Sequence, residues 1–398
     1  MMALPFLGTK TAPCPYCYTR IDPKNLSYRC WGQPAAGKTA CTVSEDPDRV
    51  RILGDHEPVR KSFTSQSRQG LLAVRPACPD CGGSTGTRVC PNCHSVLPDN
   101  FTTDSPLFGI VGVRGSGKTV MLTVLGKELT QSVARRFDAS IDSVGSSPLL
   151  TYLDNARKEM DSGGLLPGQT AAAQRVPAVY TITLRKEGLA GIKQTVSTIF
   201  SFYDTAGENL TTPDRARDLH YLEASNGVIL LIDPFGFAAN RDDALRRGVD
   251  AESLADEPRT ILRALTDVLR ESELLKPNKK IKKPVAVVLA KIDAFYDELP
   301  PDSPIRQPSS GEPLFDEQES KALHDYVAGL INKWGGDDLL RILDHNYQTY
   351  RFFVASALGA EPNYRSATVS SRGIQPHRVA EPLLWLMARK SLVGVTKA

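Results

Sequence analysis

The 398-residue chain is too long for one ordinary small domain and suggests two or three units. Its formal charge of +3 is close to balanced, and residues 1–100 hold twelve Lys/Arg against eight Asp/Glu, which argues against a dedicated nucleic-acid binder. No apolar run approaches a membrane span and the opening MMALPFLGTK lacks a secretory pattern, so a cytoplasmic protein without a membrane partner is expected.

Residues 1 to about 103 come first and are cysteine-rich, irregular and short of helical periodicity; all eight cysteines lie between 14 and 93. A cytosolic chain seldom uses disulfides, so cysteines paired at short spacing read as metal ligands. CPDC (78–81) and CPNC (90–93) form CxxC-x8-CxxC, in which Cys78, Cys81, Cys90 and Cys93 offer four thiolates to tetrahedral zinc. CPYC (14–17) with Cys30 and Cys41 is a looser set, so Cys14, Cys17, Cys30 and Cys41 are expected to hold a second zinc. Cross-pairing between the two clusters stays open. His56 and His94 are spare ligands only if a cysteine drops out. Metal would explain how so apolar-poor a region folds.

From Pro106 the texture changes to alternating apolar strands and amphipathic helices, the pattern of an α/β domain over 104–398. The pattern predicts strands at 107–113, 176–184, 196–204, 227–233, 285–290 and 351–356, and helices over 118–136, 148–161, 258–275, 318–333 and 377–390. The Pro- and Ser-rich stretch 299–316 reads as an exposed insertion. The lysine-rich run 276–283 reads as a solvated helix end.

Residues 112–119, GVRGSGKT, match the phosphate-loop pattern between an apolar strand and an apolar-periodic helix. Glycines there let backbone N–H groups turn towards phosphate, and the helix N-terminus favours negative charge. The candidate phosphate set is Gly112, Arg114, Gly115, Ser116, Gly117, Lys118, Thr119 and Val120. Lys118 would neutralise the β- and γ-phosphates, and the Thr119 hydroxyl would ligate Mg²⁺. A second match, GQPAAGKT at 32–39, lacks the strand before it and the helix after it, and Cys30 and Cys41 bracket it. That match is accidental.

DTAG (204–207) follows an apolar strand, where Asp204 would hold Mg²⁺ and Gly207 would meet the γ-phosphate. AKID (290–293) follows another. Here the sequence resembles the translation-factor-related GTPases, a class of Ras-like P-loop folds with a mostly parallel sheet flanked by helices. The resemblance implies that Asp293 reads guanine, that the Lys291 stem lies over the base, and that Ser356 and Ala357 of FVASALGA present a backbone N–H to guanine O6. Ala290 and Leu358 depart from the class pattern. It further implies a switch threonine, for which Thr170 is the candidate.

Glu208 stands where Ras-like enzymes place a water-orienting glutamine, so slow hydrolysis without a partner is expected; Arg114, and Arg215 or Arg217, are possible charge stabilisers. Zinc ribbons ahead of such a domain resemble the bacterial double-GTPase proteins of conflict systems, which implies a GTP/GDP switch with protein partners. The two regions are expected to have separate cores, so that Cys90→Ser spares GTP binding. The competing readings are a P-loop ATPase and a zinc-ribbon adaptor, for nucleic acid or protein, with an inactive nucleotide domain. Asp293 and Ser356–Ala357 speak against the first, and the intact GKT and DTAG motifs disfavour the second.

Overall fold

A computed structural model describes residues 11–65, 75–101, 106–112, 115–144, 148–162, 164–167, 177–187, 193–206, 221–254 and 257–396. Its centre is a seven-stranded sheet built from β1 (Leu107–Gly112), β2 (Ala139–Ser143), β3 (Ala178–Glu187), β4 (Lys193–Ala206), β5 (Gly227–Ile232), β6 (Val285–Leu289) and β7 (Tyr350–Val354). The strands lie in the order β7-β6-β5-β1-β4-β3-β2. β7, β6, β5, β1 and β4 run parallel, while β3 is antiparallel to both its neighbours. Every residue of β1, β5 and β6 is buried, as a parallel sheet covered on both faces requires. Their runs (LFGIVG, GVILLI, VAVVL) are continuously apolar for that reason.

The main helices packed around the sheet, among the described residues, are α1 (Lys118–Glu128), α2 (Pro148–Asp161), α3 (Arg241–Arg247), α4 (Pro258–Ser272), α5 (Glu317–Lys333), α6 (Asp337–Asn346) and α7 (Glu381–Arg389). α4 turns Ile261, Leu262, Leu265, Val268 and Leu269 inward. α7 is buried over Glu381–Met387 and packs against β5 and β6, with Trp385 5.8 Å from Phe353 between ring centroids. The span expected as helix over 118–136 is helical throughout: α1 passes into a wider π turn at Leu129–Val133, which runs on into a last α turn at Ala134–Arg136. In the π turn the Thr130 hydroxyl donates to the carbonyls of Gly126 and Lys127, which bends helices. β2, α3 and α6 had no signal strong enough to be expected. In β2 only Ile141 of ASIDS is buried, as on a sheet edge.

The stretch 299–316 is exposed along most of its length but pinned at intervals. Ser303, Ile305 and Phe315 are buried, and the Arg378 guanidinium donates to the carbonyls of Pro304, Gln307 and Pro308. In the lysine run, Lys283 donates to the carbonyls of Leu222 and Glu223, and burial pulls its pKa down to about 8.

The cysteine region is built on three short antiparallel strands, with Ser27–Arg29 between Ser62–Thr64 and Arg88–Val89. Its apolar cluster gathers the cysteines with Ile21, Leu26, Tyr28, Leu53, Phe63, Leu97 and Phe101, and it also takes in Val179 of β3 and Ile199 of β4. Tyr18 conversely belongs to the core of the sheet. The two regions keep distinct apolar clusters, as expected, but each takes side chains from the other, so they meet along an apolar seam.

Candidate functional site

The eight cysteines form two tetrads, but not the two expected from spacing. Cys14 and Cys17 meet Cys90 and Cys93, while Cys30 and Cys41 meet Cys78 and Cys81. The antiparallel pairing of Ser27 with Val89 is the cause. It sets the segment before the first strand beside the segment after the last, and the inner segments beside each other. The sites are nested rather than consecutive.

Sulfur separations are 3.8 Å for Cys14–Cys93 and Cys17–Cys90, and 3.5 and 3.8 Å for Cys30–Cys81 and Cys41–Cys78. Four sulfurs about 2.3 Å from a zinc ion at tetrahedral angles would be about 3.8 Å apart, so both tetrads fit zinc. Backbone N–H groups of Tyr16, Gly32 and Asn92 donate to Cys14, Cys30 and Cys90. Such donors favour thiolates, and the Gly83 N–H is the main reason that Cys81 falls to about 7. His94 is not a ligand of either tetrad: its ring pairs with Asp46, which also caps the helix Pro47–Leu53. His56 pairs with Glu45.

At the carboxyl end of β1 the chain enters the phosphate loop. Gly112 has no room for a side chain, since a Cβ there would stand 2.6 Å from Ser116 Oγ. Gly115 and Gly117 take φ of 75° and 82°, which glycine adopts without steric cost. α1 then begins at Lys118 with no side-chain cap, so its first N–H groups face the loop. Ser116 is buried and its hydroxyl has no hydrogen-bond partner among the described residues. An uncapped helix start and an orphaned hydroxyl inside a glycine turn fit a phosphate group. Register sets Asp204 beside Ile110 and Ala206 beside Gly112, so the strand bearing DTAG ends alongside the loop. This crevice is where the chain leaves β1 with β4 on one side and β5 on the other, the usual ligand position in such sheets.

The end of the crevice where the resemblance expects the base, here called the base end, is formed by the ends of β6 and β7. Lys291 adopts φ +52°, which turns its side chain back towards the loop; its Cε lies 3.9 Å from where a Gly117 Cβ would be. Its ammonium is held 2.7 Å from Asp233, a buried carboxylate at the end of β5, and stands 5.9 Å from the ring centres of Phe235 and Tyr364. Burial raises the Asp293 pKa, while the Ser356 hydroxyl and the Lys291 charge pull it down. Ser356 is fully buried; its hydroxyl accepts from the Gly359 N–H, and its backbone exchanges both hydrogen bonds with His377. His377 Nε2 lies 2.6 Å from the Ile305 carbonyl, so the pinned stretch 299–316 braces the floor of this end.

The model of the Double-GTPase 2 family matches residues 107–327, more than half of the chain. The chain belongs to that family. No curated protein sequence matches it. Among solved structures, it is similar to the Chaetomium thermophilum signal recognition particle receptor SRb-GTP/SRX complex (13% identity, 67% of this chain and 100% of that one, TM-score 0.31). It is also similar to a GTP-binding protein of Sulfolobus solfataricus in complex with GDP, at 16% identity over 63% of this chain and 47% of that one, TM-score 0.23. The GTPase-like domain of S. cerevisiae Ski7, bound to GDP and inorganic phosphate, matches at 14% identity over 64% and 43%, TM-score 0.29.

In this Double-GTPase 2 chain the fold therefore brings together Gly112, Gly115, Ser116, Gly117 and Lys118 on one side and Lys291, Asp293, Ser356 and Ala357 on the other, with Thr119 and Val120 in the first turn of α1. Arg114, Thr170, Gly207, Glu208, Arg215 and Arg217 lie outside the described residues, as does the side chain of Asp204. Asp233 and Tyr364 went unread in the sequence. Asp233 had a usable signal, since it directly follows the continuously apolar strand GVILLI; Tyr364 had none, being placed by a turn-rich segment after β7. Ala290 and Leu358, the two departures from the class pattern, are both buried. No described helix is long and apolar enough to cross a membrane.

Proposed function

We propose that this chain is a GTP-binding and GTP-hydrolysing switch of two units, a zinc module over 1–103 and a nucleotide domain over 104–398. The observation that carries the reading is the reach of Lys291 from the base end to Gly117 of the phosphate loop, which joins both ends of one crevice. Gly112, Arg114, Gly115, Ser116, Gly117, Lys118 and Val120 hold the phosphates; Thr119 and Asp204 hold Mg²⁺; Asp293 pairs with guanine. The Ser356 N–H is committed to His377, so the amide that meets guanine O6 is that of Ala357. When bound, Mg²⁺ supplies charge neutralisation at the β- and γ-phosphates.

Glu208 beside a γ-phosphate suffers like-charge repulsion, so turnover by the isolated chain is slow and a protein partner completes the site. Thr170 is the candidate switch residue. Family membership and the zinc module support a regulatory role in a cytoplasmic bacterial conflict system, with the cysteine module as the docking unit.

The test is direct titration of the purified protein with GDP, GTP and ATP, with identification of any nucleotide released on denaturation. Guanine nucleotides alone are expected; equal binding of ATP overturns the reading. Single-turnover hydrolysis by wild type beside Glu208→Gln tests the partner requirement. Fast wild-type turnover that the substitution abolishes would make Glu208 the catalytic residue instead.

A further inference from the structure

The residue after each complete CxxC knuckle is held in the left-handed region: Tyr18 at φ 59°, Gly82 at 70° and His94 at 53°. In all three the N–H of that residue donates to the carbonyl of the first cysteine, closing the same turn (3.0, 2.8 and 3.0 Å). Glycine suits this position, and the inner tetrad uses it. The outer tetrad carries side chains there instead, and each has an occupation. His94 pairs with Asp46. Tyr18 leaves the cysteine module altogether and enters the core of the sheet.

Its ring lies 5.1 Å from that of Tyr221 between centroids. Tyr221 is buried and its hydroxyl donates to the Phe108 carbonyl of β1 at 3.0 Å. Gly109, next along β1, makes room for it, for a Cβ there would stand 2.7 Å from the Tyr221 hydroxyl. β1 ends at Gly112, where the phosphate loop begins. Tyr16, inside the same knuckle, reaches the Val144 carbonyl at 3.4 Å beyond the end of β2. The outer tetrad is thus seated on the sheet, and a chain of packed rings runs from its knuckle to the strand that feeds the loop.

We infer that Tyr18 is a positioning residue of the nucleotide site, through which metal in the tetrad Cys14, Cys17, Cys90 and Cys93 and nucleotide in the phosphate loop stabilise one another. The inference rests on the reading that the loop binds guanine nucleotide. Metal fixes the knuckle, the knuckle fixes Tyr18, and Tyr18 fixes Tyr221 against β1. Linkage makes the effect mutual: nucleotide that tightens β1 must also tighten the outer tetrad, by the same factor. The inner tetrad has a glycine at this position, so no ring stands there.

The experiment uses the full zinc-loaded chain. Zinc release to a coloured chelator is followed with and without GDP and Mg²⁺, and dissociation of a fluorescent GDP is followed separately. Wild type is expected to release one zinc several-fold more slowly with GDP and the other at an unchanged rate. Tyr18→Gly suits the turn and so keeps both zinc ions while removing the ring. It is expected to lose GDP several-fold faster and to release both zinc ions at rates indifferent to GDP. Tyr18→Phe, which keeps the ring, is expected to restore both behaviours. Tyr18→Gly that holds two zinc ions with wild-type GDP dissociation and wild-type protection overturns the inference and leaves the nucleotide reading standing. A wild type that binds no guanine nucleotide defeats the nucleotide reading, and the inference with it.

Discussion

The two regions of this molecule solve the same problem by opposite means. The sheet buries whole apolar strands, with every residue of β1, β5 and β6 inside, and its helices cover both faces. The cysteine region has strands of two or three residues and an apolar cluster that includes most of its cysteine side chains. Burial is the main source of stability for the first, whereas on the proposed reading the second depends on four-thiolate metal centres for its order. Damage to one should therefore be read in metal content and damage to the other in nucleotide binding, except along the seam they share.

Metal removal sharpens this contrast most. Two zinc ions per chain are expected by elemental analysis, and stripping them with a chelator should unfold the cysteine region, at a cost of about 10–16 kcal/mol per site. Helical circular dichroism from α1, α4 and α5 should persist. A count of one zinc, or loss of the whole fold at once, would break the comparison. Cys30→Ser, in the inner tetrad, should leave GDP binding close to wild type; Cys90→Ser, in the tetrad seated on the sheet, should not.

At the base end, Asp293→Asn exchanges an acceptor for a donor. It should cut GDP affinity by roughly 10³-fold or more while gaining xanthosine diphosphate, measured by calorimetric titration. Asp233→Ala should act more gently. It leaves the Lys291 ammonium without its 2.7 Å partner, and GDP should dissociate about tenfold faster with its base preference unchanged. Unchanged dissociation would mean that Lys291 needs no anchor.

The smallest effect concerns pH. On the proposed reading guanine pairs with the ionised Asp293, and burial lifts that carboxyl above its ordinary value. GDP affinity should therefore fall on acidification at a higher pH than an ordinary aspartate would give. Ser356→Ala removes a hydrogen bond that holds the pKa down, so it should move this acid limb to still higher pH. A limb that stays in place would show that the Ser356 hydroxyl does not set the ionisation.

Most of the sheet was legible because a parallel strand buried on both faces writes itself as an unbroken apolar run, as in GVILLI and VAVVL. β2 and α3 left little trace, since ASIDS and RDDALRR are largely polar and take their form from neighbours. The phosphate loop and the AKID turn were legible as short local patterns. Lys291–Asp233 was not, because it links two strand ends 58 positions apart. The cysteine pairing failed for the same reason. Spacing counts neighbours along the chain, while the register of Ser27 with Val89 decides neighbours in space.

Nesting also sets a timetable. During synthesis the inner centre has all its ligands once Cys81 has emerged, whereas the outer one waits for Cys93, and both are complete before Leu107 opens the sheet. N-terminal units of a chain fold first as it grows. On the proposed zinc reading, a ribosome making this protein in zinc-poor conditions would therefore begin the sheet with the knuckle that carries Tyr18 still unset.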